Sequence, residues 1–258
     1  GDDELARLTE SFNTMLRALA ESRGRQSRLV ADAGHELRTP LTSLRTNMEL
    51  LIAAGRPGAP SIPDEDMAEL RTDVVAQIQE LSTLVGDLVD LAREDAPETV
   101  FERVDLADAV ERSLERARRR RNEIDFDATL MPWFVYGDQA GLSRAVLNVL
   151  DNAAKWSPSG GEVRIAMRQI GEGLLELTVD DAGPGIPEED RELVFERFYR
   201  STASRSMPGS GLGLAIVRQV VVKHGGTIAV EVSERGGALI RIVLPGEGAA
   251  DHETLSAN

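Results

Sequence analysis

The chain has no cysteine, which removes disulfides, thiolate metal sites and cysteine nucleophiles together. That absence fits a reducing compartment. Histidine is scarce, three residues in 258, and aromatics make up 4%, so imidazole chemistry has few addresses. No apolar run approaches the roughly 18–20 residues that span a bilayer, and no signal peptide opens the chain. A basic surface is missing as well, because the formal net charge is −15. That balance argues against non-specific contact with nucleic acid or an anionic membrane, since both are polyanions. The length predicts one to three domains with at least one real core. The opening "GDDELARLTESFNTML" is already amphipathic in its first turn, which reads as part of something longer.

What is present falls into two patterns. The first ninety or so residues read as helix. Leu5, Leu8, Phe12, Met15 and Leu19 step by three and four, a heptad seam. A second seam runs Val30, Gly34, Leu37, Leu41, Leu44, Met48 and Leu51, offset from the first by the eleven-residue step from Leu19 to Val30. Such an offset is a stutter. "GRPGAPSIPD" then breaks the helix with glycine and three prolines. A following helix carries Leu70, Val74, Ile78, Leu81, Leu84, Leu88 and Leu91 on one stripe. Two long helices joined by a short breaker predict an antiparallel hairpin. One hairpin cannot hide both stripes, so a dimeric four-helix bundle is expected.

After "REDAPETV" the grammar changes. Short alternating runs, "VRIAMRQI", "LLELTVDD", "TIAVEVSE" and "ALIRIVLP", are separated by helical stretches and glycines. This half reads as an α/β sandwich, one mixed sheet with helices on one face. There is no internal repeat, and the polar tail after Pro245 is expected to be disordered. The boundaries so read are 1–25, 26–95, 96–246 and a tail 247–258.

"GHELRTPL" places His35 on the second seam. With Gly34 and Leu37 turned inward, His35 faces solvent and Thr39, four residues on, shares its face. An exposed imidazole with an ordinary pKa near 6.5 is mostly neutral at cellular pH and can act as a nucleophile. Glu36 can accept a hydrogen bond from one ring nitrogen, leaving the other free to attack. Pro40 should bend the helix just beyond. Alone, such a histidine is ordinary helix surface. A proline inside an unbroken helical stripe costs about 3 kcal/mol, which makes that reading less comfortable.

Four further clusters follow in order. "NVLDNAAKWS" sets Asn148 and Asn152 on one helical face with Lys155 a turn beyond. Amide oxygen suits Mg²⁺, and lysine supplies a point charge for phosphate, although polar spots on a surface helix would look the same. "VDDAGPGI" ends an apolar strand with Asp181 two residues before Gly183 and four before Gly185. A carboxylate there can accept from an adenine amino group while the glycines let backbone close around the base; a plain strand-ending turn is the alternative. "FERFYR", Phe195 to Arg200, interleaves aromatic anchors with arginines. "GSGLGLAIVRQVVVKHGG" opens a helix with Gly209, Gly211 and Gly213, presenting free N–H groups and the positive dipole end to phosphate. The spacing is neither the dinucleotide fingerprint nor the P-loop. Each cluster is modest evidence alone; the ordered set is strong.

On those motifs the chain resembles the cytoplasmic part of a two-component sensor histidine kinase over nearly its whole length. "ELARLTESFNTML" is similar to the last helix of a HAMP signal-relay module, residues 1–25. "HELRTPL" resembles the H box of a dimerisation and phosphotransfer hairpin, residues 26–95. "NVLDNAAKWS", "DAGPGI", "FERFYR" and "GSGLGL" resemble the N, G1, F and G2 boxes of a Bergerat-type ATP-binding domain, residues 96–246. That fold is shared with heat-shock chaperone and mismatch-repair ATPases. The resemblance implies His35 as phosphoacceptor, with Glu36 orienting or deprotonating it and Thr39 serving a phosphatase activity. It implies Asp181 as reader of adenine, Asn148 and Asn152 as handlers of Mg²⁺, and Lys155 and Arg200 near the phosphates of ATP. Trp156, Gly183, Gly185, Gly209, Gly211 and Gly213 would line the nucleotide site. It also implies a homodimer, a response-regulator receiver domain as partner, an upstream transmembrane sensor region, and a place on the cytoplasmic side of a bacterial inner membrane, with no direct nucleic-acid contact.

Two departures stand out. Trp156 replaces the family's usual tyrosine or phenylalanine, and an indole can still pack beside a nucleotide. Ala182 follows Asp181 where asparagine, aspartate or histidine is common, which removes an auxiliary hydrogen bond and no primary contact. Two other readings compete: a non-enzymatic dimeric scaffold with a degenerate nucleotide domain, and a chaperone-like or anti-sigma-type ATPase. The intact boxes oppose the first, and the hairpin bearing His35 opposes the second.

Overall fold

The computed structural model describes residues 2–56, 63–93, 100–201, 207 and 209–248. The chain divides into two compact units, Gly1–Arg93 and Glu94–Asn258. The first is two helices, α1 (Asp2–Ala54) and α2 (Asp64–Arg93). α1 continues through Pro40, and it has no break at the expected 25/26 boundary. Asp64, Glu65 and Asp66 occupy the first turn of α2, where negative charge complements the helix dipole.

The face that α1 turns inward is Ala33, Leu37, Pro40, Leu44, Asn47, Leu51 and Ala54, all half-buried and stepping by four and three. On α2 the matching line is Met67, Leu70, Val74, Gln77, Leu81, Leu84, Leu88 and Leu91. This corrects the expected seams by a fraction of a turn. Leu37, Leu44 and Leu51 lie inside as anticipated, but Gly34 is exposed, and so are Val30 (68%), Leu41 (52%) and Met48. On α2, Gln77 takes the place foreseen for Ile78, which is exposed together with Val75, Val85 and Val89. Each helix therefore carries two apolar lines, and one neighbouring helix can cover only one of them. In the covered seam Asn47 Nδ2 donates to Gln77 Oε1 (3.4 Å), and Gln77 Nε2 donates to Ser43 Oγ (2.9 Å).

The second unit runs β1 (Glu102–Asp105), α3 (Leu106–Arg120), β2 (Asp125–Thr129), β3 (Trp133–Gly137), α4 (Gln139–Trp156), β4 (Glu162–Gly171), β5 (Leu174–Asp180), α5 (Gly213–Lys223), β6 (Thr227–Val232), β7 (Ala238–Pro245) and β8 (Glu247–Gly248). Five strands form a mixed sheet in the order β2-β4-β5-β7-β6. β2 and β4 are parallel, and the remaining pairs are antiparallel. Alternation assigns the faces: Ala238, Ile240, Ile242 and Leu244 of β7 are buried with apolar residues of α3, α4 and α5 such as Val110, Leu114, Val149, Leu150, Ile216 and Val217. The opposite face carries a cross-strand charge ladder, Arg168–Glu176 (2.8 Å), Glu176–Arg241 (2.9 Å) and Arg241–Glu231 (3.0 Å).

A second sheet, β1-β3-β8, was not anticipated. It corrects the expected tail, because Glu247 pairs with Phe134 and Gly248 with Trp133. Gly246 makes the crossing from β7 feasible: a Cβ there would lie 2.3 Å from the Phe134 carbonyl oxygen and 2.4 Å from Trp133 Nε1. Residues 249–258 of that tail lie outside the described residues. Among the described residues, no helix is long and apolar enough to cross a membrane.

Candidate active site

α1 carries His35, Glu36 and Thr39 on its exposed surface, with His35 and Thr39 one turn apart as the helical period requires. Pro40 lacks an N–H, so it offers none to the carbonyl of Glu36 one turn earlier. Just beyond, the Thr42 and Thr46 hydroxyls donate back to the carbonyls of Arg38 (2.8 Å) and Thr42 (3.0 Å).

The other predicted residues gather in the second unit around the C-terminal half of α4, the end of β5 and the start of α5. Asp138 caps α4, its Oδ1 accepting from Gly141 N–H at 3.0 Å. Asn148 Nδ2 donates to the carbonyl of Gly213, the first residue of α5, at 3.3 Å. With its amide nitrogen engaged there, Asn148 has Oδ1 as the atom to offer a cation. Asn152 follows one turn on and is half-buried. The Lys155 ammonium reaches the glycine loop, since a Cβ on Gly209 would sit 2.9 Å from Nζ; the same ammonium lies 5.4 Å from the Trp156 ring centroid. Trp156 is the last residue of α4 and is half-buried.

Asp181 is 4% exposed. Its Oδ1 accepts from the N–H groups of Gly183 and Ala238, each at 2.9 Å, and its own N–H donates to the Ala238 carbonyl. Burial raises its pKa above the ordinary carboxylate value, and the two backbone donors pull it back. The glycines around it are packing requirements. A Cβ on Gly183 would lie 2.9 Å from the Trp156 carbonyl oxygen, and one on Gly237 only 1.9 Å from that of Asp181. Sequence reasoning missed Ser157, Gly237 and Ala238 as parts of this site. Ser157 Oγ accepts from Ala182 N–H at 3.2 Å, tying the turn after β5 to the end of α4. The Gly236–Gly237 pair was the one visible signal.

The F-box segment locks onto the glycine loop and α5. Phe195 is buried, and Arg197 donates to Gln219 at 3.2 Å. The Tyr199 hydroxyl donates to Asp190 at 2.6 Å. Phe198 is the one non-glycine residue with positive φ among those described, at 62°, and its N–H donates to the Gly211 carbonyl at 3.0 Å. Gly211 itself has φ 69°, and a Cβ there would meet Phe198 at 2.9 Å. Arg200 Nη2 donates to the Met207 carbonyl, so this guanidinium lies beside the glycine loop. Gly185, with φ 77°, packs on the Gly236 carbonyl.

The residues present fit a nucleotide with a hard divalent cation. They supply amide oxygens and cations and, among the described residues, no cluster of carboxylates or histidines. A magnesium ion needs few protein ligands when phosphate oxygens and water complete its shell.

Comparison with known proteins gives two family matches. Residues 25–97 match the His Kinase A (phospho-acceptor) domain. Residues 137–248 match the histidine kinase-, DNA gyrase B- and HSP90-like ATPase family. The signal transduction histidine-protein kinase/phosphatase MprB of Mycolicibacterium vanbaalenii is 67% identical over 250 residues, 95% of this chain and 52% of the relative. The chain thus spans about half the length of the curated relatives it matches. A solved mycobacterial sensor histidine kinase MprB structure is 57% identical and superimposes with a TM-score of 0.54 over 58% of this chain and 99% of its own. Full-length ShkA in complex with AMPPNP is 25% identical, with a TM-score of 0.57 over 86% of this chain and 46% of its own.

Proposed function

The chain belongs to the two-component sensor histidine kinases, and on that premise we propose that it phosphorylates His35 from ATP and passes the phosphoryl group to an aspartate of a response regulator. The carrying observation is the convergence of Asn148, Lys155 and the Gly209–Gly213 loop at the start of α5, in a chain whose other unit presents an exposed imidazole.

In this reading Asp181 accepts from the adenine amino group, while Trp156, Gly183 and Gly185 shape the base pocket. Lys155 and Arg200 face the phosphates, with Gly209, Gly211 and Gly213 presenting backbone donors at the N-terminus of α5. Asn148 and Asn152 hold Mg²⁺, which when bound neutralises phosphate charge. The free nitrogen of His35 attacks the γ-phosphorus as the bond to the β-phosphate oxygen of ADP breaks, and Glu36 takes the ring proton. Catalysis here is mostly positioning and charge neutralisation. The regulator's carboxylate then attacks the phosphohistidine, and the ring leaves as neutral imidazole by taking back the proton held by Glu36. For the reverse duty, the Thr39 hydroxyl orients a water against the regulator's acyl phosphate, releasing inorganic phosphate.

The exposed lines of α1 and α2, including Val30, Leu41, Ile78 and Val85, support a homodimer built as a four-helix bundle, with residues 26–95 as its dimerisation and phosphotransfer part. In this reading residues 1–25 belong to a relay helix from a membrane-bound sensor region, and the chain works on the cytoplasmic side of a bacterial inner membrane. The test is incubation with γ-labelled ATP, with and without a receiver domain. Acid-labile, base-stable label that moves to the receiver supports the reading. Label on serine would indicate the anti-sigma type of ATPase, and no label would indicate a scaffold.

A further inference from the structure

The second unit holds a buried imidazole that phosphotransfer does not use. His224 closes α5 and is 6% exposed. Its Nε2 accepts the backbone N–H of Asp138, the cap of α4, at 2.8 Å. Its Nδ1 lies 2.7 Å from the Val220 carbonyl oxygen. An amide N–H only donates and a carbonyl only accepts, so both bonds together require the neutral ring with its proton on Nδ1. The surroundings are built for that ring. It lies parallel to Phe101, with centroids 5.3 Å apart and planes 4° apart, and Tyr136 meets the edge of Phe101. A Cβ on Gly137 would sit 2.2 Å from His224 Cδ2, so only glycine admits the imidazole there. The charged groups acting on it are Asp138 at the start of α4 and its neighbour Lys223, and burial lowers its pKa.

The far end of the same helix is tied to the same partner. The Gly213 carbonyl accepts from Asn148. α5 is therefore attached to α4 at both of its ends, Gly213 to Asn148 and His224 to Asp138. The tie points span similar lengths of the two helices, roughly 15 Å at 1.5 Å per residue. Two attachments so far apart, added to the apolar packing of the two helices, oppose tilting of α5 on α4. With the His224 bond removed, the angle of α5 about Asn148–Gly213 would be held by packing alone.

We propose that His224 is a positioning residue for nucleotide binding: by holding the end of α5 to the start of α4, it sets the angle at which the glycine loop faces Asn148. The inference rests on the nucleotide-binding reading above. Its test is calorimetric titration of the full chain with Mg·ADP, comparing the parent with His224→Leu and His224→Gln at pH 7.5 and 5.5. Leucine deletes the bond to Asp138, and we expect about tenfold weaker binding. Glutamine places an amide oxygen near the position of Nε2 and should restore affinity to within about threefold. Because burial holds the ring neutral to below its ordinary pKa, the ratio of parent to glutamine-variant affinity should stay within about twofold between the two pH values; taking the ratio cancels protonation of ADP itself. Parental affinity in the leucine variant, or equal losses with leucine and glutamine, would overturn the proposal. If the leucine variant does not fold, a glutamine variant that binds tenfold or more weakly than the parent would overturn it just as well. Absence of ADP binding by the parent would instead bring down the nucleotide reading, and this inference with it.

Discussion

In the hairpin the chemistry-bearing side chains, His35, Glu36 and Thr39, are all exposed, and only Val74, Leu84 and Leu91 are buried among its described residues. In the sheet unit the corresponding side chains are held from behind: Asp181 by two backbone N–H groups, Asn148 by Gly213, and the F-box segment by Gly211 and Asp190. The contrast follows from what each must meet. A phosphoacceptor read as serving first a nucleotide and then a regulator has to be open to two large partners in turn. Groups that recognise one small ligand gain by being fixed before it arrives, since ordering them afterwards would subtract from affinity.

The sharpest way to separate the two units is His35→Gln. It removes the proposed nucleophile and leaves the residues of the sheet unit unchanged, so we expect phosphorylation to disappear altogether and Mg·ADP affinity to stay within about twofold. Radiolabelling and calorimetry on the same preparation check both halves. A parallel loss of nucleotide affinity would mean that the units do not divide the work as described.

The next largest effect is expected at Asp181, where the sheet unit holds the proposed adenine-reading group at a cost to its own stability. Burial raises the folded-state pKa of this carboxyl. A raised pKa means that its contribution favours the fold below the unfolded value near 3.8 and is lost as pH rises through the folded value. At pH 7 the ionised group therefore opposes folding. Asp181→Asn keeps an oxygen for the Gly183 and Ala238 N–H groups while removing the buried charge. Its melting temperature at pH 7 should equal or exceed the parent's, with any gain vanishing toward pH 4. Nucleotide affinity should fall at least tenfold, about 1.4 kcal/mol. Both tryptophans, Trp133 and Trp156, lie in this unit, so their fluorescence follows its melting selectively. A variant both less stable and unimpaired in binding would reverse the assignment.

How legible each unit was in the sequence differs for the same physical reason. Strands β4 to β7 are long enough for period-two alternation to show, and all four were expected. β1, β2 and β3 are four or five residues long; "ERVD" and "DFDAT" carry at least as much charge as apolar content, so neither alternation nor a hydrophobic run marks those two, and "WFVYG" is an apolar run too short to show a period. β8 is two residues, held by the close approach of Gly246 to β3. In the hairpin, periodicity was visible but its phase was not. Asn47 and Pro40 lie inside while Leu41 and Met48 lie outside, because a helix with two apolar lines shows a single strong period whichever line faces its neighbour. The site glycines were readable as motifs. Ser157, Ala238 and His224 were not, since they act through hydrogen bonds to groups brought close only by the fold, as far as 86 residues away for His224.

A smaller effect should isolate Thr39 within the open surface of the hairpin. Thr39→Ala removes one exposed hydroxyl and costs little stability. Autophosphorylation should stay within about twofold of the parent, while dephosphorylation of a phosphorylated receiver domain falls roughly tenfold. Dephosphorylation continuing at the parental rate would leave Thr39 without a role in that step.

The smallest effect tests whether the hairpin is as loosely determined as its exposure suggests. Its covered seam is interrupted by the Asn47–Gln77 pair, with Ser43 as the third member. A polar pair in an apolar seam lowers stability but fixes which residues face each other, because a slipped register leaves the amides without partners. Replacing both with leucine should therefore raise the stability of the hairpin by about 1 kcal/mol and leave the tryptophan-reported melt of the sheet unit unchanged. Helical ellipticity in urea, dominated by α1 and α2, measures the first, and fluorescence measures the second. Spin labels at Arg45 and Gln79 report the register directly, with a broader distance distribution expected in the leucine pair. A hairpin that became less stable would show the pair to be a net source of cohesion, and one that kept a single narrow distance would show that the leucine seam alone sets the register.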